Sequence, residues 1–185
     1  MGFYQFERTQ KIKASKEEVW DFISSPANLK KITPAYMGFD ITSNNTTKKM
    51  YEGMIISYNV KPVFNIKTKW VTEITHIKEG HFFIDEQRMG PYKLWHHQHF
   101  IEEISGGVLM KDIVSYIPPF GFLGAIANTF LIRNKLEQIF AFRRQVLESK
   151  YGEYKSNVSI FCQNLSNLEI YYCTPPNILW GWRDA

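Results

Sequence analysis

The N-terminal part of the chain combines one strand pattern with two short helix patterns. Residues 3–13 carry β-favouring side chains without a breaker, which predicts a strand. Ser15, followed three residues later by Glu18, is typical of a capping box at the start of a helix. The apolar stripe of this helix comprises Val19, Trp20, Phe22 and Ile23. The Ser-Ser-Pro run at 24–26 ends it, and a second short helix is predicted over residues 27–32.

Between residues 39 and 117 the pattern changes to consecutive strands joined by short turns. The cleanest alternation puts Ile66, Thr68, Trp70, Thr72 and Ile74 on one face and mostly charged side chains on the other. Turn residues recur at 44–47, 78–80, 90–91 and 105–107. The strands after the first turn are predicted over residues 50–60, 66–74, 81–88, 92–102 and 108–117. Because hairpin turns join neighbours, the sheet is predicted to be antiparallel.

After the prolines at 118–119 the period becomes helical and continues to about residue 151. The recurring positions are Ile126, Thr129, Phe130, Arg133, Leu136, Ile139, Phe140 and Arg143. Basic residues collect near the end of this helix and Gly152 follows it, as dipole and C-cap preferences predict. The predicted fold class is therefore α+β, with a curved antiparallel seven-stranded sheet around a long C-terminal helix and two short helices after strand 1.

The chain is predicted to contain one folded domain, residues 1–152, and a weakly ordered extension, residues 153–185. The extension contains both cysteines, Cys162 and Cys173, and lacks a long periodic element. Two thiols without a close pairing motif indicate neither a metal knuckle nor a secreted disulfide framework. We assign no function to the extension.

Composition excludes several classes of function. Of 185 residues, 16% are aromatic, so the interior is either wide or leaves space lined by rings. The net charge of +4 is spread along the chain without a basic stripe, which argues against nucleic-acid binding. The apolar run at 113–132 is interrupted by prolines and glycines and does not predict a membrane span. No leader pattern opens the chain, so a cytoplasmic location is expected.

Several segments resemble the START-like (Bet v 1-like, SRPBCC) superfamily. Residues 14–22, ASKEEVWDF, resemble its first strand-to-helix junction. Residues 26–34 resemble its second short helix. The runs DEQ at 85–87, GP at 90–91, WHHQHF at 95–100 and DIVSYIP at 112–118 resemble a bacterial polyketide cyclase/dehydratase or coenzyme Q-binding-like branch. The resemblance spans roughly residues 3–150 and implies a helix-grip fold with a cavity between sheet and helix.

That fold implies a mostly apolar site with a few polar groups that orient a ligand. The predicted ligand-binding residues are Tyr58, Trp70, Phe83, Gln87, Trp95, His97, His99, Tyr116, Ile126, Phe130 and Phe140. The alternative is that these rings fill a solid core.

A run of histidines on one predicted strand is the polar exception. Trp95, His97 and His99 share one face, but the sequence does not decide whether that face points inward. If the preceding hairpin loop has an odd number of residues, Asp85 or Gln87 lies near His97 or Trp95. Asp112 lies on the following strand.

Three roles remain open for this cluster. The first is structural, either a buried hydrogen-bond network or a set of exposed histidines. The second is a polar patch that orients a ligand, and the third is a general acid–base pair. The catalytic candidates are His97, His99, Asp85 and Asp112. We predict no metal site, because zinc needs three or four ligands and the sequence nominates only two histidines.

The leading hypothesis is a module that binds a small hydrophobic molecule, such as a lipid, a quinone or a polyketide-like compound, without a cofactor. The alternatives are a cyclase/dehydratase-type enzyme that uses a His/Asp pair, and a protein-interaction module. Transient membrane contact through the start of the long helix is compatible with either. The sequence does not predict an oligomeric state.

Overall fold

The part of the chain described by the computed structural model contains one antiparallel sheet. The strands, in chain order, are β1 (Tyr4–Ile12), β2 (Asp40–Ile41), β3 (Ile55–Val60), β4 (Thr68–Lys78), β5 (Phe82–Met89), β6 (Leu94–Ile104) and β7 (Gly107–Ile117). Their order across the sheet is β1-β7-β6-β5-β4-β3-β2. Each strand from β3 to β7 therefore pairs with the next strand along the chain. β1, from the other end of the chain, pairs with β7.

Short helices follow β1 and a long helix ends the fold. They are α1 (Lys16–Ile23), α2 (Pro26–Leu29), two 3₁₀ turns (Lys30–Ile32 and Ala35–Met37) and α3 (Arg133–Tyr151). The predicted capping box is present, because Ser15 accepts from the backbone of Glu18 and the Glu18 carboxylate accepts from that of Ser15. Gly152 ends α3 with a positive φ of 87°. The predicted α+β architecture is confirmed.

One predicted boundary is wrong for a local reason. The strand predicted over 50–60 begins only at Ile55, because Met54 N–H donates to Tyr51 O in a turn where Gly53 has φ of 83°. In the predicted long helix, Gly121, Gly124 and Ala127 are α-helical, and a π-helical segment, Asn128–Ile132, comes before α3. The buried Tyr116 hydroxyl donates to Asn128 Oδ1 over 2.7 Å and ties this segment to β7.

One end of the interface between the sheet and α3 is a dry core. Leu147 of α3 packs with Val108 of β7 and Val19 of α1, and all three are fully buried. Trp20 of α1 packs edge-on against Phe83 of β5, with ring centroids 6.1 Å apart. Alternate residues of each strand face this core, as the period of two requires.

The structure describes residues 2–44, 49–61, 66–119, 121, 124 and 127–155. The chain up to Tyr154 forms one compact unit, and Lys155–Ala185 is divided from it as a second. The predicted boundary after residue 152 and the weak order of residues 153–185 stay predictions, because residues 156–185, with both cysteines, lie outside the described residues.

Candidate functional site

The strand register joins the predicted polar residues on one face of the sheet. Asp85 pairs with His97 across β5 and β6, and His99 pairs with Asp112 across β6 and β7. The loop between the paired residues Glu86 and His96 is 87–95, an odd number of residues, which meets the condition stated from the sequence. His97, His99 and Asp112 are buried, so this face points inward.

The opposite face of β6 carries a separate, half-buried pair. His96 Nδ1 lies 2.9 Å from Glu86 Oε1. Because neighbouring residues of a strand point to opposite sides, His96 and His97 sit in different environments. The outer pair therefore offers a comparison for the inner one.

Two imidazoles and two carboxylates alternate around the inner cluster. His97 Nε2 lies 3.0 Å and His99 Nδ1 lies 2.8 Å from Asp112 Oδ1. On the other side, His99 Nε2 lies 2.9 Å and His97 Nδ1 lies 3.5 Å from Asp85 Oδ2. The two imidazole centroids are 3.7 Å apart, and Phe83 stacks on His99 at 4.1 Å.

Arg143 of α3 completes the cluster from above. Its Nη1 donates to Asp112 Oδ1 over 2.9 Å, and its side chain is mostly buried. An arginine always carries its charge, so the neighbouring carboxylate is stabilised as an anion. Burial alone raises the pKa of Asp112, but Arg143 and the hydrogen bonds from His97 and His99 outweigh burial and hold that pKa far below its usual range.

The two histidines respond in opposite directions. Burial, reinforced by the neighbouring His99, lowers the pKa of His97 to about 4. Burial also disfavours the charged form of His99, but hydrogen bonds to Asp112 and Asp85 raise its pKa above the ordinary value. For Asp85, burial is opposed by the hydrogen bond from His99 and by nearby positive charge, so its pKa is lowered. These interactions thus favour the charged form of His99 and the neutral form of His97, beside two carboxylates.

Four members of the cluster, Asp85, His97, His99 and Arg143, line a cavity between the sheet and α3. Its volume is about 160 Å³. The sheet contributes Ile56, Tyr58, Trp70, Thr72, Phe83 and Trp95. The helix and short turns contribute Met37, Phe39, Leu136, Ile139, Phe140 and Arg143. The wall is thus mainly apolar and aromatic, and apart from Lys135 of α3 its charged groups belong to the cluster.

Two further polar groups lie in the ring-lined wall. Tyr58 OH is 3.0 Å from Thr72 Oγ1, and burial raises the pKa of Tyr58, so the phenol stays protonated. The buried Trp70 Nε1 has no hydrogen-bond partner in the described part of the chain. Buried donors are nearly always paired in folded proteins, so this indole N–H is free for a ligand acceptor.

The structure brings most of the predicted site residues together. Tyr58, Trp70, Phe83, Trp95 and Phe140 line the cavity with the two inward histidines. Gln87 does not: its side-chain amide pairs with the backbone of Tyr92, donating over 2.7 Å and accepting over 3.2 Å, and so holds the β5–β6 turn. Tyr116 and Asp112 are buried beside the cavity, outside its lining. Ile126 and the side chain of Phe130 lie outside the described residues.

Sequence reasoning missed Arg143 as a site residue. Its place near the C-terminal, negative end of the helix dipole is a sufficient explanation for a basic residue there. The available signal was its spacing, because Leu136, Phe140 and Leu147 lie seven, three and four residues away on the same inward stripe. Tyr92, Met37 and Phe39 were missed because they lie on short turns without periodicity.

Comparison with solved structures identifies the class of fold. Ginseng major latex-like protein 151 from Panax ginseng aligns with a TM-score of 0.59 and 13% identity over 80% of this chain and 97% of that one. Protein CV1439 from Chromobacterium violaceum aligns with a TM-score of 0.61 and 12% identity over 81% and 99%. Ara h 8.0201 aligns with a TM-score of 0.55 and 12% identity over 81% and 98%. No family model and no curated protein matches the sequence.

The chain therefore shares the helix-grip fold of these solved structures, and the predicted fold is confirmed. At these identities the likeness concerns the fold, and activity must be argued from the site. Among the described residues, no helix is long and apolar enough to cross a membrane.

Proposed function

We propose that this protein binds a compact, largely apolar molecule with one polar oxygen-bearing group in the cavity between the sheet and α3. The observation that carries the proposal is the arrangement of the cavity wall, in which aromatic and aliphatic side chains surround one side formed by Asp85, His97 and His99. Ligand sites in proteins have this composition, because the apolar wall supplies affinity and the few polar groups supply orientation.

The volume of the cavity restricts the ligand. A cavity of about 150 Å³ holds a benzene-sized guest, so a volume near 160 Å³ fits a single substituted ring. A complete lipid or an isoprenoid quinone does not fit unless part of it extends past α3. We therefore favour a phenolic, quinone-like or polyketide-like ring over a long-chain lipid.

The polar side of the cavity favours an oxygen-bearing ligand. Arg143 and Trp70 both line the cavity, and Arg143 Nε and the Trp70 indole N–H are buried without a hydrogen-bond partner in the described part of the chain. An oxygen that accepts one of these bonds replaces water lost on burial, whereas a purely apolar guest leaves the donors unsatisfied. Affinity is thus expected to be greater for a phenol or ketone than for the matching hydrocarbon.

The test is native mass spectrometry of the protein purified from its own host, followed by organic extraction. A co-purifying aromatic mass that the protein rebinds supports the proposal. Val60→Phe, which puts a ring against the cavity wall, is expected to abolish rebinding. Val71→Phe is the matched control, because Val71 follows Trp70 on β4 and points to the other face. A folded Val60→Phe protein that retains full rebinding would contradict this assignment of the site.

A second candidate function, acid–base catalysis of the cyclase/dehydratase type, is favoured by one specific observation. An imidazole and a carboxylate, His99 and Asp85, face the same cavity in direct contact. Such a pair can remove a proton next to a ligand carbonyl. Turnover of a polyketide-like ketone that is lost in Asp85→Asn while ligand binding persists would establish catalysis. Turnover unchanged in that variant would exclude this pair.

The third hypothesis, a protein-interaction module, required an exposed apolar patch beside the long helix. Among the large exposed apolar side chains of the described residues, Tyr36 contacts Gln138 and Lys135 of α3, whereas Ile66, Met89 and Leu94 lie on strands or next to them. A single exposed ring is not a patch. This arrangement gives the interaction hypothesis no support. The cytoplasmic location stays a prediction.

A further inference from the structure

We infer that Asp85, His97 and His99 form a binding site for a divalent first-row transition metal, with one coordination position open to the cavity. The three side chains offer one carboxylate oxygen and two imidazole nitrogens that lie within 4.8 Å of one another. The sequence nominated only the two histidines. The third ligand becomes visible because the β5–β6 register puts Asp85 directly opposite His97.

The carboxylate of Asp112 determines which imidazole nitrogens are available. Arg143 donates to Asp112 Oδ1, and His97 Nε2 and His99 Nδ1 lie 3.0 Å and 2.8 Å from the same oxygen. A carboxylate paired with arginine is only an acceptor, so both of these ring nitrogens carry protons. The nitrogens left to bind a cation are consequently His97 Nδ1 and His99 Nε2, the latter after it releases the proton that it donates to Asp85.

Those two nitrogens both face Asp85. His99 Nε2 lies 2.9 Å and His97 Nδ1 lies 3.5 Å from Asp85 Oδ2. Zinc bonds to nitrogen and oxygen ligands of about 2.0–2.1 Å imply ligand–ligand separations of roughly 3.4 Å in a tetrahedron. These two separations bracket that value, and all three ligand atoms lie within 4.8 Å of one another. Without a cation, the proton of His99 Nε2 occupies this position in a hydrogen bond to Asp85, and a metal ion replaces that proton.

Asp112 and Arg143 then act behind the metal ligands. An imidazole that binds a metal usually donates its other N–H to a carboxylate, which orients the ring. Here one carboxylate receives that bond from both rings and is itself held by Arg143. Two histidines and one carboxylate suit zinc or ferrous iron, and three protein ligands leave a position for an exogenous one.

The open position faces the apolar cavity, because all three ligands line it. A divalent ion with Arg143, Asp85 and Asp112 has a net charge of +1, which is unfavourable in a buried site. A phenolate, enolate or carboxylate oxygen would neutralise it. This last step, unlike the metal site itself, rests on the proposed function and specifies that the ligand coordinates through an anionic oxygen.

The test is calorimetric titration of the full, tag-free chain with Zn²⁺ after treatment with a chelator, without organic ligand. Wild type is expected to bind one equivalent. Asp85→Asn, which keeps the shape of the side chain, is expected to weaken binding more than ~100-fold, and Asp112→Asn about 10–100-fold, as for groups that support metal ligands. His96→Gln is the matched control, since His96 lies on the outer face beside Glu86 and its loss should leave affinity unchanged.

Two results overturn the inference: wild type that binds no Zn²⁺, or Asp85→Asn that binds as tightly as wild type. Loss of binding in His96→Gln equal to that in Asp85→Asn does the same. If Asp85→Asn fails to fold, histidine NMR of wild type decides, because Zn²⁺ must shift His97 and His99 and leave His96 unchanged. Ligand binding measured in chelator is a separate readout, so either proposal can fail while the other stands.

Discussion

Leu147 and Arg143 lie one turn apart on the same face of α3 and meet the sheet in opposite ways. Leu147 is fully buried among aliphatic side chains. Arg143 reaches the Asp112 carboxylate beside a cavity. The same change occurs on the strands. The inward-facing pair of Ile101 and Met110 is apolar, and the next inward-facing pair, His99 and Asp112, is ionisable. The helix and three strands thus exchange apolar for ionisable residues at one level of the fold.

This difference indicates why the cavity end is a site. Packing alone is satisfied by the arrangement around Leu147, which fills its space completely. Burying five ionisable side chains is costly unless each is paired. The cluster meets that condition, but it makes no use of the adjoining space. Ionisable residues held in fixed positions next to an apolar cavity are typical of binding and catalytic sites.

The largest effect is expected when a charge at the cavity end loses its partner. Arg143→Met leaves the buried Asp112 carboxylate without its cation and should lower the free energy of unfolding by about 3–5 kcal/mol. Arg144→Met, at the next position, removes an exposed pair with Glu148 and should change it by less than about 0.5 kcal/mol. Urea unfolding of both variants measures the difference. Equal effects would mean that the buried cluster is not the stabilising feature described here.

At the dry end a simple truncation is expected to reduce stability without affecting ligand binding. Leu147→Ala removes a fully buried side chain and should cost about 2–5 kcal/mol. Since Leu147 does not line the cavity, binding of a compact phenol should keep its affinity while the protein is folded. Calorimetry and urea unfolding separate the two properties. A parallel loss of affinity would indicate that the two ends are coupled.

The histidine pair predicts a maximum of stability near the ordinary histidine pKa of 6.5. The pKa of His97 is lowered to about 4, so the unfolded chain binds the extra proton first and stability falls as pH drops from 6.5 toward 4. The pKa of His99 is raised, so its contribution is present below 6.5 and is lost as pH rises through the folded value. Each limb has a slope of at most about 1.4 kcal/mol per pH unit for one proton.

Unfolding measured over this pH range in the presence of a chelator tests the maximum. The groups that face the pair are Asp85, Asp112 and Arg143. His76→Gln, a substitution at an exposed position, should leave the profile unchanged. A profile in wild type that rises steadily with pH through 6.5 would contradict the assignment of a charged His99.

The smallest effect is expected on the outer face of β6. His96→Gln removes a half-buried pair with Glu86 and should change stability by about 0–1 kcal/mol. The isosteric change at Asp85 on the inner face removes a buried acceptor and should cost more, about 1–3 kcal/mol. Thermal unfolding of the two variants compares the faces directly. A larger loss for His96→Gln would mean that the inner pairs contribute little.

The sequence was sufficient where the signal is local. Ser15 and Glu18 define a helix start without any knowledge of the rest of the fold. The contact between Asp85 and His97 was predictable only conditionally, because one residue more or less in the 87–95 loop would turn Asp85 to the other face. Whether His97 points inward depends on which face of the sheet α3 covers. The sequence of β6 alone does not show which face that is.

Arg143 shows the limit most clearly. A basic residue near a helix end already has an adequate local explanation, and its partner, Asp112, is on a strand 31 residues earlier. Gln87 shows the opposite case, a residue that was predicted to line the cavity and does not. A side-chain amide beside a tight turn can pair with backbone groups, and the amide of Gln87 pairs with those of Tyr92. Residues on turns, such as Tyr92, carry no periodic signal.

The central claim is that the inner face of β6 meets a ligand and the outer face does not. The five histidines of the chain provide the internal comparison. The most direct measurement is imidazole NMR of the chelator-treated protein, titrated with a panel of single-ring phenols and carboxylates and with any extracted ligand. The account predicts saturable shifts of His97 and His99, with His76, His81 and His96 unchanged. Shifts confined to those three outer histidines, or no shift with any compound, would contradict it.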